Sequence, residues 1–471
     1  MNKQECAIKY VEDNYLQFNR LRHDIIADKL QVRCAHPIGD RLRAPHDTSV
    51  AGDPAEAKGE RQEQWREMTK HDINSIVCHA AQEYDANITS REVMTALQSD
   101  LIPDVHPLRE YILSLPPFTP DQPDWIDFVA SQVRVRTNNN EDTLIQQPKQ
   151  QITNNIPLAN TASGEGNNSI PSATEPSEPL TSGSNADALW RACFKKWFVA
   201  MVASWMKDEV VNHQVLVLIG KQGIYKTTWL EHLIPPHLRA YACKLANSAD
   251  LNKDERLRIA EFGLISLDEI DSMNSRELNQ LKSIITATDV NERAAYAYTK
   301  ERRVRLASFC ASGNRRDFLT DITGNRRWLP FEVESIQNPF TTLLPYERIY
   351  AQAWALAQDP FFSYWFDLDE IEVLEQHNQH FRDESNEEQL LPILFDVPAE
   401  GKGEFLTTAQ ISERLVTYGN IKKPMALSRL GMLLGAHGFQ KKTIGVQRLR
   451  GWLVYQRSMD EINANKRLYA K

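Results

Sequence analysis

Cysteine is scarce in this sequence, which has six cysteines among 471 residues. They lie far apart, and no two of them have the spacing of metal ligands. The pattern argues against a structural zinc site and predicts reduced thiols in a cytoplasmic protein. These cysteines are Cys6, Cys34, Cys78, Cys193, Cys243 and Cys310.

Long apolar runs are missing as well. The first five residues, MNKQE, lack the apolar core of a signal peptide. The most apolar stretch, 197–206, is too short to cross a bilayer, and charged residues flank it on both sides. We therefore expect no contact with a membrane.

The sequence also lacks an excess of positive charge. Its formal net charge is −9, which excludes a uniformly basic protein that coats nucleic acid. Any contact with nucleic acid must therefore come from local basic patches.

Composition divides the chain near its middle. From residue 137 to residue 186 the sequence is rich in Asn, Gln, Ser, Thr and Pro and has no aromatic residue, which predicts a disordered linker. Residues 1–136 before it are expected to form a mostly helical region. After it we expect three parts, namely a domain at 187–365, a helical connector at 366–400 and a C-terminal domain at 401–471.

Strands and helices alternate in the part after the linker. Three predicted strands, Gln214–Ile219, Phe262–Leu267 and Val304–Ser312, each end in glycine or polar residues. Strands separated by helical segments indicate an α/β fold with a parallel sheet, in which ligands lie beyond the carboxyl ends of the strands. Aromatic residues also recur at helical spacing from Trp190 to Trp205, which favours a core helix over a surface that stacks on bases.

A glycine-rich loop follows the first of these strands. Residues 220–228, GKQGIYKTT, fit a phosphate-binding loop between a strand and a helix. Backbone N–H groups of such a loop surround phosphate oxygens, its lysine reaches the β- and γ-phosphates, and its first threonine hydroxyl binds Mg²⁺. The alternative is a chance glycine-rich turn. The expected ATP-binding residues are Gly220, Gly223, Lys226, Thr227 and Thr228.

The loop departs from the usual pattern at one position. Tyr225 stands where glycine normally precedes the lysine. We expect a side chain at this position to change the rate of hydrolysis more than the affinity for nucleotide.

Two carboxylates follow the second strand. We expect Asp268 to hold Mg²⁺ together with Thr227, and Glu269 to orient and deprotonate the attacking water. The alternative is that the acidic pair caps a helix. Its position about forty residues after the phosphate loop favours the catalytic interpretation.

Further polar residues follow the third strand. Asn314 is a candidate for a hydrogen bond to the γ-phosphate or to the water, and the alternative is an asparagine in a turn. Arg326 and Arg327 are candidate arginine fingers, which in ring motors come from the neighbouring subunit. The alternative for them is a structural or surface role.

Together these strings resemble the virulence-associated protein E family, which is related to superfamily 3 helicases and to primase-helicases of phages and plasmids. The resemblance covers 220–333, and its most specific string is FLTDITGNRRW at 318–328. It implies an AAA+-like phosphate-loop ATPase that forms a homo-oligomeric ring, often hexameric, and serves the replication of a mobile element. It does not imply a primase, because residues 1–136 do not resemble a polymerase-type domain.

Two basic stretches are candidates for contact with DNA. The first lies before the third strand, where superfamily 3 helicases have a hairpin that lines the ring pore, and it carries Tyr296 and Tyr298 as possible base-stacking residues. The second is the C-terminal unit, where two predicted helices and a basic wing suggest a winged helix. A solvated hairpin and a protein-binding winged helix are the alternatives. The candidate DNA-binding residues are Lys300, Arg302, Arg303, Lys441, Lys442, Arg448 and Arg450.

These features favour an ATP-driven DNA helicase or translocase. One alternative is an ATP-gated DNA-binding protein that hydrolyses little ATP. Another is a small-molecule phosphotransferase, which the acidic pair and the arginine loop disfavour.

Overall fold

The computed structural model describes residues 1–34, 64–136, 186–245, 258–292, 301–319, 325–399, 403–444 and 448–462. The predicted linker, apart from residue 186, lies outside these ranges and stays a prediction. Among the described residues, no helix combines the length and apolar character that a membrane span requires.

The N-terminal region combines helices with a small sheet. The sequence predicted a mostly helical region and missed this sheet, because its strands are short and carry polar residues such as Arg22 and His23 in place of an apolar run. The strand order is β3-β2-β1-β4, with β1 antiparallel to β2 and parallel to β4. The elements are α1 (Lys3–Val11), β1 (Leu21–Asp24), β2 (Lys29–Cys34), β3 (Gln64–Glu67), α2 (Lys70–Glu83), α3 (Ser90–Leu97), β4 (Asp104–Val105), α4 (Pro107–Ser114), α5 (Trp125–Ala130) and β5 (Val133–Val135).

A six-stranded sheet forms the centre of the molecule. Its order is β5-β12-β6-β11-β8-β7; the last five strands run parallel, and β5 pairs antiparallel with β12 at the edge. This confirms the predicted α/β class with a parallel sheet. Its further elements are α6 (Ala186–Met206), β6 (Val215–Ile219), α7 (Lys226–His232), β7 (Ala242–Leu245), β8 (Leu264–Leu267), α8 (Ser275–Thr286), β9 (Asp289–Glu292), β10 (Glu301–Val304), β11 (Ser308–Gly313) and β12 (Trp328–Ile336).

The aromatic residues of α6 form part of the core. Trp190, Trp197 and Trp205 are fully buried. The indole N–H of Trp190 donates to the carbonyl of Ala130, that of Trp197 to Phe309 and that of Trp205 to Gly263. A buried indole needs such a partner, because an unpaired N–H inside a protein costs free energy. The core-helix interpretation is therefore correct for this segment.

The N-terminal region and the central sheet share one core. Leu108 and Ile112 of α4 and Ile126 and Val129 of α5 pack in the same apolar cluster as α6. The buried carboxylate of Asp24 also accepts a hydrogen bond of 2.5 Å from Tyr241, just before β7. The change of composition at residue 137 therefore separates segments that pack together in the folded chain.

A two-stranded ribbon lies beside the sheet. Strand β9 pairs antiparallel with β10, at the place where the sequence predicted a hairpin. Just after it, Arg305 is fully buried and donates to the backbone carbonyls of Asn212, Ile285 and Ala307. This arginine therefore anchors the base of the ribbon rather than facing solvent.

The C-terminal unit has its own apolar core. Strands β14 and β15 both pair antiparallel with β16, and helices α12 and α13 lie between β14 and β15 in the chain. The C-terminal elements are α9 (Tyr346–Gln358), α10 (Leu368–Asn378), α11 (Asn386–Leu394), β13 (Phe395–Asp396), β14 (Glu404–Leu406), α12 (Thr408–Gly419), α13 (Leu427–Ala436), β15 (Gln440–Ile444) and β16 (Leu449–Gln456).

Candidate functional site

The glycine-rich loop connects β6 to α7. The N–H of Gly220 donates to the carbonyl of Gly313, and a Cβ at Gly220 would approach the carbonyl oxygen of Val333 to 2.7 Å, so only glycine fits. Gly223 has a φ of +86°, which also favours glycine. Helix α7 begins at Lys226, and the N–H groups of its first turn have no partner within the helix. The loop and the helix start thus provide donors for a phosphate group.

Lys226 lies inside the loop. Its side chain is largely buried, and Nζ donates to the carbonyls of Gly220 and Lys221 at 2.8 and 2.7 Å and to Oδ1 of Asn314 at 3.3 Å. Burial lowers the pKa of Lys226, while the carboxylates of Asp271 and Asp268 oppose that shift. The ammonium group is therefore held at the mouth of the loop, where a phosphate would meet it.

Hydroxyl groups join the loop to the acidic strand end. Oγ1 of Thr227 donates to Oδ1 of Asp268 at 3.1 Å and lies 3.0 Å from Oγ of Ser312. Ser312 itself donates to the same carboxylate oxygen at 2.6 Å. The structure thus brings together Thr227 and Asp268, the two predicted Mg²⁺ ligands. Ser312, which the sequence analysis did not single out, completes the cluster.

Lys244 is a second residue that the sequence analysis missed. Its ammonium group lies 2.8 Å from Oδ2 of Asp268, and that carboxylate raises the pKa of Lys244. Burial acts to raise the pKa of Asp268, but hydrogen bonds from Lys244 and Ser312 outweigh burial, so this pKa is lowered. Asp268 is therefore held as a charged carboxylate between a lysine and two hydroxyl groups.

The remaining acidic and amide candidates lie at the same edge. Glu269 is exposed and has a φ of +52°, and its backbone carbonyl accepts from Ser272 at the start of a 3₁₀ turn. Asn314 accepts from Lys226, and its N–H donates to Asp271 at 3.0 Å. Asp271, also missed in the sequence, thus orients the turn that carries Asn314.

The two arginine candidates lie at the other end of the sheet. Arg326 and Arg327 form a 3₁₀ turn just before β12, whose first residue pairs with Val215, the first residue of β6. The phosphate loop follows the last residue of β6, so the length of the strand, roughly 13 Å, separates the two positions. When the side-chain amide nitrogen of Gln214 is oriented toward this turn, it donates to the backbone carbonyls of Arg326 and Arg327. Within one chain these arginines do not join the phosphate loop.

The residues at the carboxyl edge fit a magnesium triphosphate. Mg²⁺ usually takes one or two carboxylates, with phosphate oxygens and water completing an octahedron, and Asp268 and Thr227 supply ligands of that kind. Lys226 and the N–H groups at the start of α7 supply positive charge for the phosphates. Among the described residues, no group of three or more His, Cys, Asp or Glu side chains could hold a metal ion by itself.

Comparison with protein families agrees with this geometry. Residues 177–388 match the family described as "Virulence-associated protein E-like domain". This chain contains a virulence-associated protein E-like domain. The resemblance stated from the motifs is confirmed over that segment, and the domain supports nucleotide binding by this chain.

Comparison with solved structures gives distant likenesses. Two apo structures of the C-terminal region of NrS-1 each align with a TM-score of 0.41, at 10% and 9% identity. The alignments cover 94% and 95% of this chain and 98% and 100% of those chains. No curated protein matches the chain in sequence.

The β9–β10 ribbon carries two of the DNA-binding candidates, Arg302 and Arg303. Arg302 is 75% exposed and pairs with Asp289, whereas Arg303 is mostly buried and pairs with Asp28 of the N-terminal region. Arg303 therefore links the ribbon to the N-terminal sheet in this structure. Lys300, Tyr296 and Tyr298 lie outside the described residues, so their predicted roles stay predictions.

The C-terminal basic candidates lie on the β15–β16 ribbon. Lys441, Lys442, Arg448 and Arg450 are exposed, and within the described part of the chain no ion pair with an acidic group is found for them. Nζ of Lys441 lies 5.8 Å from the centre of the Trp452 ring. These four side chains thus place a positive surface on one ribbon of the unit.

Tyr225 lies in the left-handed region of backbone conformation. Its φ is +69°. Tyr225 is the N-cap residue of α7 and stands where phosphate-binding loops usually have glycine. For a residue with a Cβ this conformation costs about 1–2 kcal/mol. Its ring meets the ring of Phe340 at 6.5 Å between centroids.

The strain predicts an unusual order of stability at this position. We expect Tyr225→Gly to be more stable than Tyr225→Ala by about 1 kcal/mol, because only glycine relieves the left-handed backbone. Both substitutions remove the same ring, so the difference isolates the backbone effect. Chemical or thermal unfolding of the two variants measures it.

The matched control is Glu375, an exposed residue within α10. There we expect the opposite order, with the alanine variant about 1 kcal/mol more stable than the glycine variant. If alanine is also the more stable residue at position 225, the backbone there is not strained.

Proposed function

We propose that this chain is an ATP-driven motor on nucleic acid, a superfamily 3-like DNA helicase or translocase that serves replication. The observation that carries the proposal is the contact cluster at the carboxyl edge of the sheet. Thr227 donates to Asp268 at 3.1 Å and Lys226 donates to Asn314 at 3.3 Å, although these residues come from three separate segments of the chain. Such a cluster is what binding and hydrolysis of a magnesium triphosphate require.

The residues divide the chemical work among them. Lys226 binds the β- and γ-phosphates, and Asn314, which accepts a hydrogen bond from that lysine, is positioned to contact the γ-phosphate or the water. Glu269, exposed at the same edge, orients a water molecule and accepts its proton. When bound, Mg²⁺ neutralises charge on the phosphate oxygens.

The position of the arginines supports a ring in which subunits share each site. Arg326 and Arg327 lie at the amino ends of the strands, whereas the phosphate loop lies at their carboxyl ends. An arginine that contacts the γ-phosphate must then come from a second copy of the chain, which makes hydrolysis depend on a homo-oligomer.

The two basic surfaces have separate roles in this proposal. The β9–β10 ribbon contacts single-stranded DNA in the ring through Lys300 and Arg302. The C-terminal unit, with helices α12 and α13 and its basic ribbon, acts as a winged helix that binds duplex DNA through Lys441, Lys442, Arg448 and Arg450.

Two observations favour a second function, that of an ATP-gated DNA-binding protein with little hydrolysis. Lys244 pairs with Oδ2 of Asp268, one of the two oxygens of the proposed Mg²⁺ ligand, and Tyr225 replaces a loop glycine. Both features slow hydrolysis without preventing binding.

ATP turnover distinguishes the two functions. We expect hydrolysis that single-stranded DNA stimulates, and we expect Lys226→Ala and Glu269→Gln to reduce it by at least about 100-fold. Phosphate release with and without DNA measures this, with Glu372→Gln, an exposed glutamate on α10, as the control that keeps wild-type turnover. DNA binding that depends on ATP but releases almost no phosphate would favour the gated binder and refute the motor.

Mixed oligomers test the shared site. We expect Glu269→Gln and the double variant Arg326→Ala/Arg327→Ala each to be inactive, and their mixture to regain part of the activity. At a mixed interface, the arginine variant supplies an intact Glu269 and the Glu269→Gln variant supplies the intact arginines. A mixture of Glu269→Gln with Lys226→Ala should stay inactive, because no site in it has both residues. Failure of the first mixture to recover would show that the arginines do not act between subunits.

A further inference from the structure

A cavity lies along the flank of α7, beside the phosphate loop. Its volume is about 200 Å³, and its walls include Trp229, His232, Phe340 and Tyr346, together with Gln132 from the segment before the predicted linker. None of these five residues belongs to the cluster around Lys226 and Asp268, so the proposed phosphate chemistry leaves the cavity unexplained.

Aromatic rings connect the cavity to the phosphate loop. The Phe340 ring lies 6.5 Å from the ring of Tyr225, the residue before Lys226, and 5.3 Å from that of His232 at the other end of α7. The side chain of Phe340 is nevertheless 67% exposed, and so is that of Leu343, at 86%. Large apolar side chains exposed at the edge of a cavity gain stability when a flat, apolar ligand covers them.

The loop that carries Phe340 has a defined conformation. Oδ1 of Asn338 accepts from the N–H of Phe340 at 3.0 Å, and the carbonyl of Asn338 accepts from the N–H groups of Thr341 and Thr342. The turn therefore fixes the backbone at Phe340, whose side chain is exposed.

The cavity wall also contains an unsatisfied donor. Gln132 is 3% exposed, and its Oε1 accepts from the indole of Trp229 at 3.0 Å. Its Nε2 is buried and has no hydrogen-bond partner among the described residues. A buried amide donor without a partner costs free energy, which an acceptor on a ligand would recover once the Gln132 side chain turns its Nε2 toward the cavity.

His232 offers the complementary group. Its Nδ1 lies 2.7 Å from the carbonyl of Thr228, which can only accept, so Nδ1 carries the hydrogen and Nε2 of the neutral ring is an acceptor. The cavity wall thus contains one acceptor and an aromatic surface, with the unpaired donor of Gln132 buried behind it. Flat rings that carry both donors and acceptors on their edges, such as nucleobases, match this set.

We propose that this cavity is the nucleobase subsite of the nucleotide site, with Phe340 stacking on the base and Gln132 donating to a ring acceptor. The inference rests on the proposed function, because the triphosphate of the same nucleotide occupies the loop at Lys226. A purine covers more of Phe340 than a pyrimidine does, so the site prefers purine nucleotides. The segment before the predicted linker then contributes directly to nucleotide recognition.

Binding to the full-length chain tests the proposal with ATP, CTP and inorganic tripolyphosphate, each with Mg²⁺, in calorimetric titrations. We expect ATP to bind more tightly than CTP and at least about tenfold more tightly than tripolyphosphate. Phe340→Ala should weaken ATP about tenfold and leave tripolyphosphate unchanged, and Phe340→Tyr should restore ATP affinity. Gln132→Glu keeps an oxygen for Trp229 but removes the donor, so it should also weaken only ATP.

The matched control is Phe361→Ala, which removes an exposed phenylalanine that does not line the cavity. It should leave all three affinities unchanged. Equal binding of ATP and tripolyphosphate to the wild type, or Phe340→Ala indistinguishable from Phe361→Ala, would overturn the base subsite and leave the phosphate site standing. If Lys226→Ala does not weaken tripolyphosphate, the phosphate site itself fails, and the base subsite falls with it.

Discussion

The register of three parallel strands determines the candidate site. Strand β11 lies between β6 and β8, pairing Gly313 with Ile219 and Ala311 with Leu267. Because the strands are parallel, their carboxyl ends lie at one edge, and the side chains that follow them come within hydrogen-bonding distance. A shift of one residue in this register would move Ser312 to the other face of the sheet and separate it from Thr227 and Asp268.

This edge is supported from behind by α6. The indole N–H groups of Trp197 and Trp205 donate to carbonyls of β11 and of the residue before β8, so one helix is bonded to both strands. The N-terminal region adds to the same core and supplies β5 as the edge strand next to β12. The candidate site and the N-terminal region therefore share one core, and the ion pair of Arg303 with Asp28 links the ribbon to the N-terminal region.

The sequence predicted the parts of the site that follow strands directly. Gly220, Asp268 and Asn314 each come just after an apolar strand, and Lys226 ends the loop that begins at Gly220, so the parallel arrangement brings these residues to one edge. Lys244 and Ser312 were missed because they lie within strands, where nothing in the sequence distinguishes them from other polar residues. Their roles depend on which strands are neighbours, which is a tertiary property.

Other features could not be predicted from the sequence, for similar reasons. The N-terminal sheet has short, polar strands without an alternating pattern, and β5 has three residues, so neither gives a detectable signal. The sequence did flag Tyr225 as a departure, but its left-handed backbone and its contact with Phe340 depend on a loop more than one hundred residues later. Gln132 contacts Trp229 across the region predicted to be a linker, which no local pattern indicates.

An experimental structure of the chain with Mg²⁺ and a non-hydrolysable ATP analogue tests the central claim most directly. We expect the β- and γ-phosphates on the loop at Lys226, the metal between Thr227 and Asp268, and Lys244 moved away from the carboxylate oxygen that it holds. A nucleotide bound elsewhere, or Lys244 still bridging Asp268 with the triphosphate in place and no metal beside it, would contradict the account.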